Sequence, residues 1–308
     1  MNIATAILIK LISVLLFALM GTLIRYVGAK FPVGQIVFFR SAFAILPVVV
    51  IYALRRELAA AVRTGRPFGH LGRGLLGIAG MFLTFAALAR LPLMDAVAIT
   101  FAAPLITVAL AALILHERVR VYRWSAVAIG FAGVIVMLWP YLDIWGLVEL
   151  GTAERTIGAA CALMSAFTQA GTVIQTRRLT DSETTSSIVL YFSLICMIAG
   201  LATLPLGWLA ASPFELAMLA MIGILGGLSH ILLTESYRYA PASVVAPFDY
   251  TAMIWAFLLG YAVFGELPSP YVHVGGVVVV ACGLFVIWRE HRAGRPRTSA
   301  IEGPPVGE

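Results

Sequence analysis

Long apolar runs, separated by short clusters of polar residues, occupy nearly the whole chain. Runs of spanning length fall at about 4–24, 33–53, 72–90, 93–115, 124–141, 156–175, 184–207, 215–236, 243–264 and 271–288. A helix needs about 20 such residues to cross a hydrocarbon layer of about 30 Å, so the pattern predicts ten membrane helices. The third and fourth runs are parted only by a few residues around Pro92, and the eighth and ninth by a few around Pro241. Both pairs are therefore predicted to form tight antiparallel hairpins.

These two hairpins repeat each other. Leu88–Glu117 and Tyr237–Glu266 each carry a proline between runs (Pro92, Pro241), a second proline inside the following run (Pro104, Pro247) and a closing glutamate. Pro92 to Glu117 is 25 residues, and so is Pro241 to Glu266. The first span agrees with the sixth in the same way: Phe17, Gly21, Thr22 and Ile24 recur 150 residues later as Phe167, Gly171, Thr172 and Ile174, and Gly133 recurs as Gly283. Residues 1–141 and 155–288 thus read as two five-helix repeats, followed by a disordered cytoplasmic tail at 289–308. Five is odd, so the second copy enters the membrane upside down. The expected fold is an all-α integral membrane protein of ten transmembrane helices in two inverted repeats.

Composition removes most alternatives. Hydrophobic residues make up 61% of the 308 and charged residues only 12%, with a mean hydropathy of +0.98, more apolar surface than a soluble domain of this length buries. The formal charge of +6 does not signal nucleic acid, because the arginines are scattered over short loops with no basic aromatic face. It reports orientation instead. With the N-terminus inside, fifteen of the basic residues fall in the even-numbered loops and C-terminal tail and four on the opposite side, which places both termini in the cytoplasm. Trp124, Trp139, Trp145, Trp208 and Trp288 lie near span ends, as an interfacial belt requires, and Trp255 alone lies near a span centre. Cys161, Cys196 and Cys282 sit singly inside apolar runs with no metal-ligand spacing, so no metal or cofactor is expected. The first run lacks a preceding basic residue and a cleavage site, and reads as a retained span.

The pattern resembles the drug/metabolite transporter superfamily in its ten-helix EamA-type branch. FALMGTLI in the first span, IVFFRSAFAILP in the second and AP…P…GE closing the ninth carry the resemblance, which covers residues 4–288. It implies a carrier in a bacterial inner membrane with a small-molecule substrate and no enzymatic activity. The exporters it is most similar to in general appearance carry amino acids, aromatic ones included. Other members move S-adenosylmethionine, riboflavin or nucleotide-linked metabolites, and an importer or exchanger of that kind is the alternative. A channel or a membrane enzyme fits less well, since the chain offers no filter and only His230, Glu235 and Asp249 as scattered catalytic types.

Candidate site residues follow from the broken hairpins. Pro104 and Pro247 each remove a helical hydrogen bond, tolerated in lipid where the freed carbonyl faces protein or a wet cavity; Thr100 and Tyr250 join them as cavity candidates. His230, Thr234 and Tyr237 share one helix face at i, i+4 and i+7, and their repeat-mates Met81 and Phe85 would form an opposing apolar wall. A satisfied helix-contact role for His230 remains equally open. Asp249 lies about 10 Å below the interface, at 1.5 Å per residue, where a carboxylate is costly unless paired, hydrated or protonated. It would anchor a substrate amino group, couple transport to protons, or pair with Lys10, Arg238 or Tyr250. Arg40 would bind a carboxylate as a fork, while the resemblance implies a structural arginine tied to backbone carbonyls. Lys10 is expected to snorkel to the interface. Trp255 would stack on an aromatic solute, though it does not share a face with Asp249. Phe17 and Gln169 complete the candidates on the strength of the repeat. Small-residue stripes at Gly130, Gly133, Gly275, Gly276 and Gly283 permit close packing within the chain or between copies, leaving monomer and homodimer both open.

Overall fold

The computed structural model describes residues 3–54, 56, 64–114, 121–141, 150–180, 185–239 and 246–292. Its helices are α1 (Ile3–Val27), α2 (Val33–Leu54), α3 (Pro67–Arg90), α4 (Leu93–Thr100), α5 (Ala102–Ile114), α6 (Val121–Leu138), α7 (Leu150–Thr180), α8 (Thr185–Leu201), α9 (Pro213–Tyr239), α10 (Thr251–Phe264) and α11 (Pro270–Arg292). Among the described residues no strand occurs. Eight segments of 18 to 24 residues are long and apolar enough to cross a membrane, α4 and α5 counting as one, and Phe248–Phe264 and Pro270–Val286 are shorter apolar helices. All ten predicted spans are thus helical. Lipid supplies no hydrogen bonds, and a helix satisfies its own backbone. Large apolar side chains such as Leu8, Val50, Ile135, Ile198 and Val277 face outward.

Proline chemistry sets the hairpin corner. Pro67 starts α3 at a position where no N–H is needed, and Pro92 pushes Leu91 into an extended conformation (φ −109°, ψ 156°), which ends α3. The chain turns and α4 begins one residue after Pro92.

Packing follows the repeat. α3 lies along α7 and α1 along α9, α2 packs on both α8 and α9, and α6 pairs with α11. Because α1 corresponds to α7 and α3 to α9, the pairs α3–α7 and α9–α1 are one interface made twice. Helices in lipid gain little from hydrophobic burial against each other, so close approach depends on small residues. Ala162, Ala166 and Ala170 on α7 are fully buried at i, i+4 and i+8. At α6–α11 the backbones themselves meet: a Cβ on Gly133 would lie 3.0 Å from the Gly275 carbonyl oxygen, and one on Gly275 would strike the Gly133 oxygen. The stripe that left oligomeric state open in the sequence is therefore used, at Gly133 and Gly275, inside one chain.

Candidate functional site

The fourth span breaks as expected, and in the ninth α10 starts at the point equivalent to the start of α5. In the fourth span α4 ends at Thr100, Phe101 forms a turn and α5 starts at Ala102, with Pro104 in its first turn. In the ninth span a 3₁₀ segment, Ala246–Tyr250, precedes α10. Thr100 Oγ1 donates to the Val97 carbonyl (2.6 Å) and Thr251 Oγ1 to the Phe248 carbonyl (2.6 Å), so hydroxyls take up carbonyls near each break. Phe101 and Tyr250 are 149 residues apart, the offset that relates Pro92 to Pro241. Their rings stack with centroids 5.2 Å apart and planes at 28°. The two breaks thus meet across the pseudo-symmetry axis. Gly283 makes room for this contact, since a Cβ there would collide with the Tyr250 ring and hydroxyl.

Beside the breaks lies a cavity of about 160 Å³ enclosed by α1, α3, α4 and α10. Phe17, Met20, Phe85, Leu88 and Val97 give it an apolar and aromatic wall, Thr84 and Thr100 also line it, the Thr100 hydroxyl being committed to the Val97 carbonyl, and Ala252 and Ala256 form its α10 side. Asp249 lies in the 3₁₀ segment, three residues before the lining residue Ala252, and is not itself part of the lining.

Asp249 is paired. Lys10 Nζ on α1 lies 2.6 Å from Asp249 Oδ1; the lysine side chain is fully buried and that of Asp249 is 45% exposed. This corrects the expectation that Lys10 snorkels: α1 packs too closely on α9 and the 3₁₀ segment for its side chain to reach the interface, and the ammonium is met by a carboxylate inside the protein. Of the readings open for Asp249, the structure shows the Lys10 pair while leaving an oxygen toward open space. The repeat does not reproduce the pair, since the mates of Asp249 and Lys10 are Thr100 and Ala160.

A second charged locus is not evident from the sequence. Arg40 on α2 is 3% exposed, and its Nε has no hydrogen-bond partner. Among the described residues it forms no ion pair, and its Cζ sits 6.0 Å from the Phe192 ring centre. Arg73, placed with the loop charges in the sequence, extends from α3 to within 5.0 Å of the same ring centre. Phe192 and Phe17 both meet His230 edge-on, at 6.4 and 5.0 Å, and Phe17 also lines the cavity. Gly226 lets Arg40 lie against α9, because a Cβ there would approach Arg40 Nε to 3.1 Å. Among the described residues Arg40 forms no hydrogen bond to a backbone carbonyl, so no such tie of Arg40 is seen there. Sequestering a guanidinium costs several kcal/mol, and a cation–π contact returns about 1–2. Among the described residues its compensation is incomplete.

At one end of the bundle the two halves are bolted together. Arg25 Nη2 pairs with Glu266 Oε1 at 2.5 Å and Nη1 donates to the carbonyls of Leu88 and Ala89 at 3.3 and 3.2 Å. Glu266 Oε2 accepts the Leu93 N–H at 3.1 Å, capping the otherwise unpaired start of α4. Lys30–Glu215 (2.5 Å), Arg90–Glu154 (2.8 Å) and a two-way amide contact between Gln35 and the Leu209 backbone (2.8 and 3.0 Å) also cross between repeats. Tyr141 donates to buried Asp95 nearby. Glu266, read from the sequence as repeat architecture, thus also holds a helix start in the other half.

The remaining candidates are dispersed. Met81 packs in the core, Pro104 and Gln169 are exposed, and Trp255 is partly buried away from the cavity wall of Phe17, Phe85 and Thr100. The side chains of Thr234, Tyr237 and Pro247, and Glu117, lie outside the described residues.

Known proteins share this organisation. The EamA-like transporter family matches twice, over residues 4–139 and 156–289. An S-adenosylmethionine uptake transporter of Rickettsia prowazekii is 28% identical over 286 residues, covering 92% of each chain. A riboflavin transporter of Rhizobium johnstonii is 29% identical over 282 residues (91% of this chain, 89% of that one). The pseudopaline exporter CntI of Pseudomonas aeruginosa is 29% identical over 285 residues (90% and 94%). A crystal structure whose description states no function aligns with a TM-score of 0.62 and 18% identity over 95% of this chain and 99% of that one, a likeness of fold alone. Two family matches that together span both five-helix halves, in a chain whose ten predicted spans are helical over their described residues, make this multi-pass membrane protein a member of the EamA-like transporter family.

Proposed function

We propose that the chain is a bacterial inner-membrane carrier that exports amino acids, large neutral and aromatic ones foremost, or similar small amphipathic metabolites by alternating access. The observation that carries this reading is the apolar, aromatic-walled cavity beside the helix breaks, with the Lys10–Asp249 pair three residues before its lining residue Ala252. An apolar body would rest on Phe17 and Phe85, and an amino group would compete with Lys10 for Asp249. Exchange of Lys10 for a substrate cation, or for a proton on Asp249, would couple occupancy to rearrangement of the breaks. Size favours the amino-acid reading. The cavity of about 160 Å³ is smaller than the roughly 300–1,000 Å³ that encloses drug-sized ligands. S-adenosylmethionine and riboflavin, the substrates named for two relatives, would require the halves to part further; those names keep an importer or exchanger of such compounds as the second reading.

The test is uptake into proteoliposomes of labelled phenylalanine, methionine and threonine, beside S-adenosylmethionine and riboflavin, with and without a pH gradient. Saturable phenylalanine or methionine flux is expected. Flux of only the two larger compounds would replace the amino-acid reading with the second one.

With the arginine-rich loops inside, the bolted end would face the periplasm. Glu266→Gln keeps an acceptor for the Leu93 N–H and removes the charge facing Arg25. Both partners are about one-fifth exposed, so the pair contributes at most about 1 kcal/mol, or about fivefold in the ratio of the two states. A cysteine at Ala256, in a chain without its native cysteines, should react up to about fivefold faster with an impermeant thiol reagent added from the periplasmic side. An unchanged rate would show that other contacts keep that end closed.

A further inference from the structure

We infer that Arg40, flanked by Phe192 and Arg73, is a binding site for a ligand carboxylate. Arg40 is nearly inaccessible, is permanently charged, has an orphaned Nε and forms no ion pair among the described residues. A second guanidinium, that of Arg73, converges on the same ring. A buried guanidinium held against an apolar ring, with another cation beside it, is a receptor for an anion, and the described residues supply none to Arg40. A carboxylate fits the planar guanidinium fork, and Phe192 offers a face to whatever apolar group the carboxylate carries. Arg73, Phe192 and His230 are each partly exposed, so the cluster borders open space.

The aromatic path from this cluster runs through His230 to Phe17, which is a wall of the cavity. Phe17 is thus shared between the cavity wall and the ring contacts of this cluster. Together the cluster, the cavity and Asp249 select a ligand with an anion at one end, an apolar middle and a cation at the other. The inference deepens the carrier reading and rests on it for the physiological ligand; the required negative charge follows from Arg40 itself.

The test is thermal unfolding of the purified full chain in detergent, at neutral pH, with two matched pairs: phenylacetate against phenylacetamide, and L-phenylalanine against L-phenylalaninamide. The carboxylates are expected to raise the midpoint and the amides to leave it unchanged. Arg40→Gln should unfold at the same or a higher temperature without ligand, because it removes a buried charge that lacks full compensation. Its response to carboxylates should weaken by about tenfold or more. Arg40→Lys, which keeps the charge without the fork, should fall between.

Equal stabilisation by acid and amide, no response to either carboxylate, or a carboxylate response unchanged in Arg40→Gln would each overturn the inference. So would an Arg40→Gln chain that no longer folds, which would make Arg40 a structural tie. An Arg40-dependent carboxylate response in a protein that moves no amino acid would leave this site standing and remove the amino-acid carrier reading alone.

Discussion

Asp249→Asn is expected to lower the unfolding midpoint far more than Lys10→Met, although each deletes the same ion pair. The asymmetry comes from burial. The Lys10 side chain is fully buried, whereas that of Asp249 is 45% exposed. Neutralising Asp249 removes the counter-ion of a fully buried ammonium, a change that costs on the order of 3–5 kcal/mol for a buried pair. Removing the Lys10 charge leaves a carboxylate that already reaches open space and can hydrate. The double variant Lys10→Met with Asp249→Asn should recover most of the lost stability, because no lone charge remains. Transport separates the structural role from the functional one. If Asp249 binds the substrate cation or a proton, the double variant folds and does not transport, and Lys10→Met alone retains flux with an altered dependence on pH. Full activity in the stable double variant would reduce the pair to a helix tie. Calorimetry or a tryptophan-based melt of the four proteins, alongside proteoliposome uptake, reads both outcomes.

Gly275→Val is expected to prevent correct packing of α6 on α11. A Cβ at position 275 would strike the Gly133 carbonyl oxygen, and the next contact is the Met137 side chain and backbone. Backbone atoms of a membrane helix cannot step aside as a rotamer can, so the helices must separate along their length. Inserting two methyl groups beyond that Cβ makes the cost exceed the about 1–3 kcal/mol of ordinary overpacking. Gly133→Ala, whose Cβ would sit 3.0 Å from the Gly275 oxygen, should be milder. Size-exclusion chromatography and yield of folded protein measure the effect. A well-folded Gly275→Val chain that changes only its oligomeric state would place this stripe at an interface between copies and contradict the contact within one chain.

Much of the architecture is legible in the sequence. Apolar runs of about 20 residues admit one solution in lipid, the helix. The 149-residue offset between Pro92 and Pro241 marks the two hairpins, and it also relates Phe101 to Tyr250, whose stacking could not be anticipated. The break in the fourth span occurs three residues before Pro104, because a proline disrupts the turn preceding it. The charges are harder to read. Lys10 lies near a span end and Arg73 near a loop, and by position each belongs with water. Both are instead drawn inward by partners on other helices, Asp249 and Phe192, that are more than a hundred residues away in the chain. Glu266 shows the same limit, since its repeat with Glu117 is visible but its bond to the Leu93 N–H is not.

The sequence by itself determined the ten helices, their pairing into two inverted halves, the broken hairpins and the class of protein, because apolar length, proline and repetition act locally or by copying. Only the tertiary structure decided which charges meet, that Gly133 and Gly275 are used within one chain, and that Arg40 is buried without a full complement of partners. Those outcomes depend on which faces of distant helices come together. A helix of uniform hydrophobicity records little about its facing in its own sequence, because lipid and the protein interior accept the same side chains.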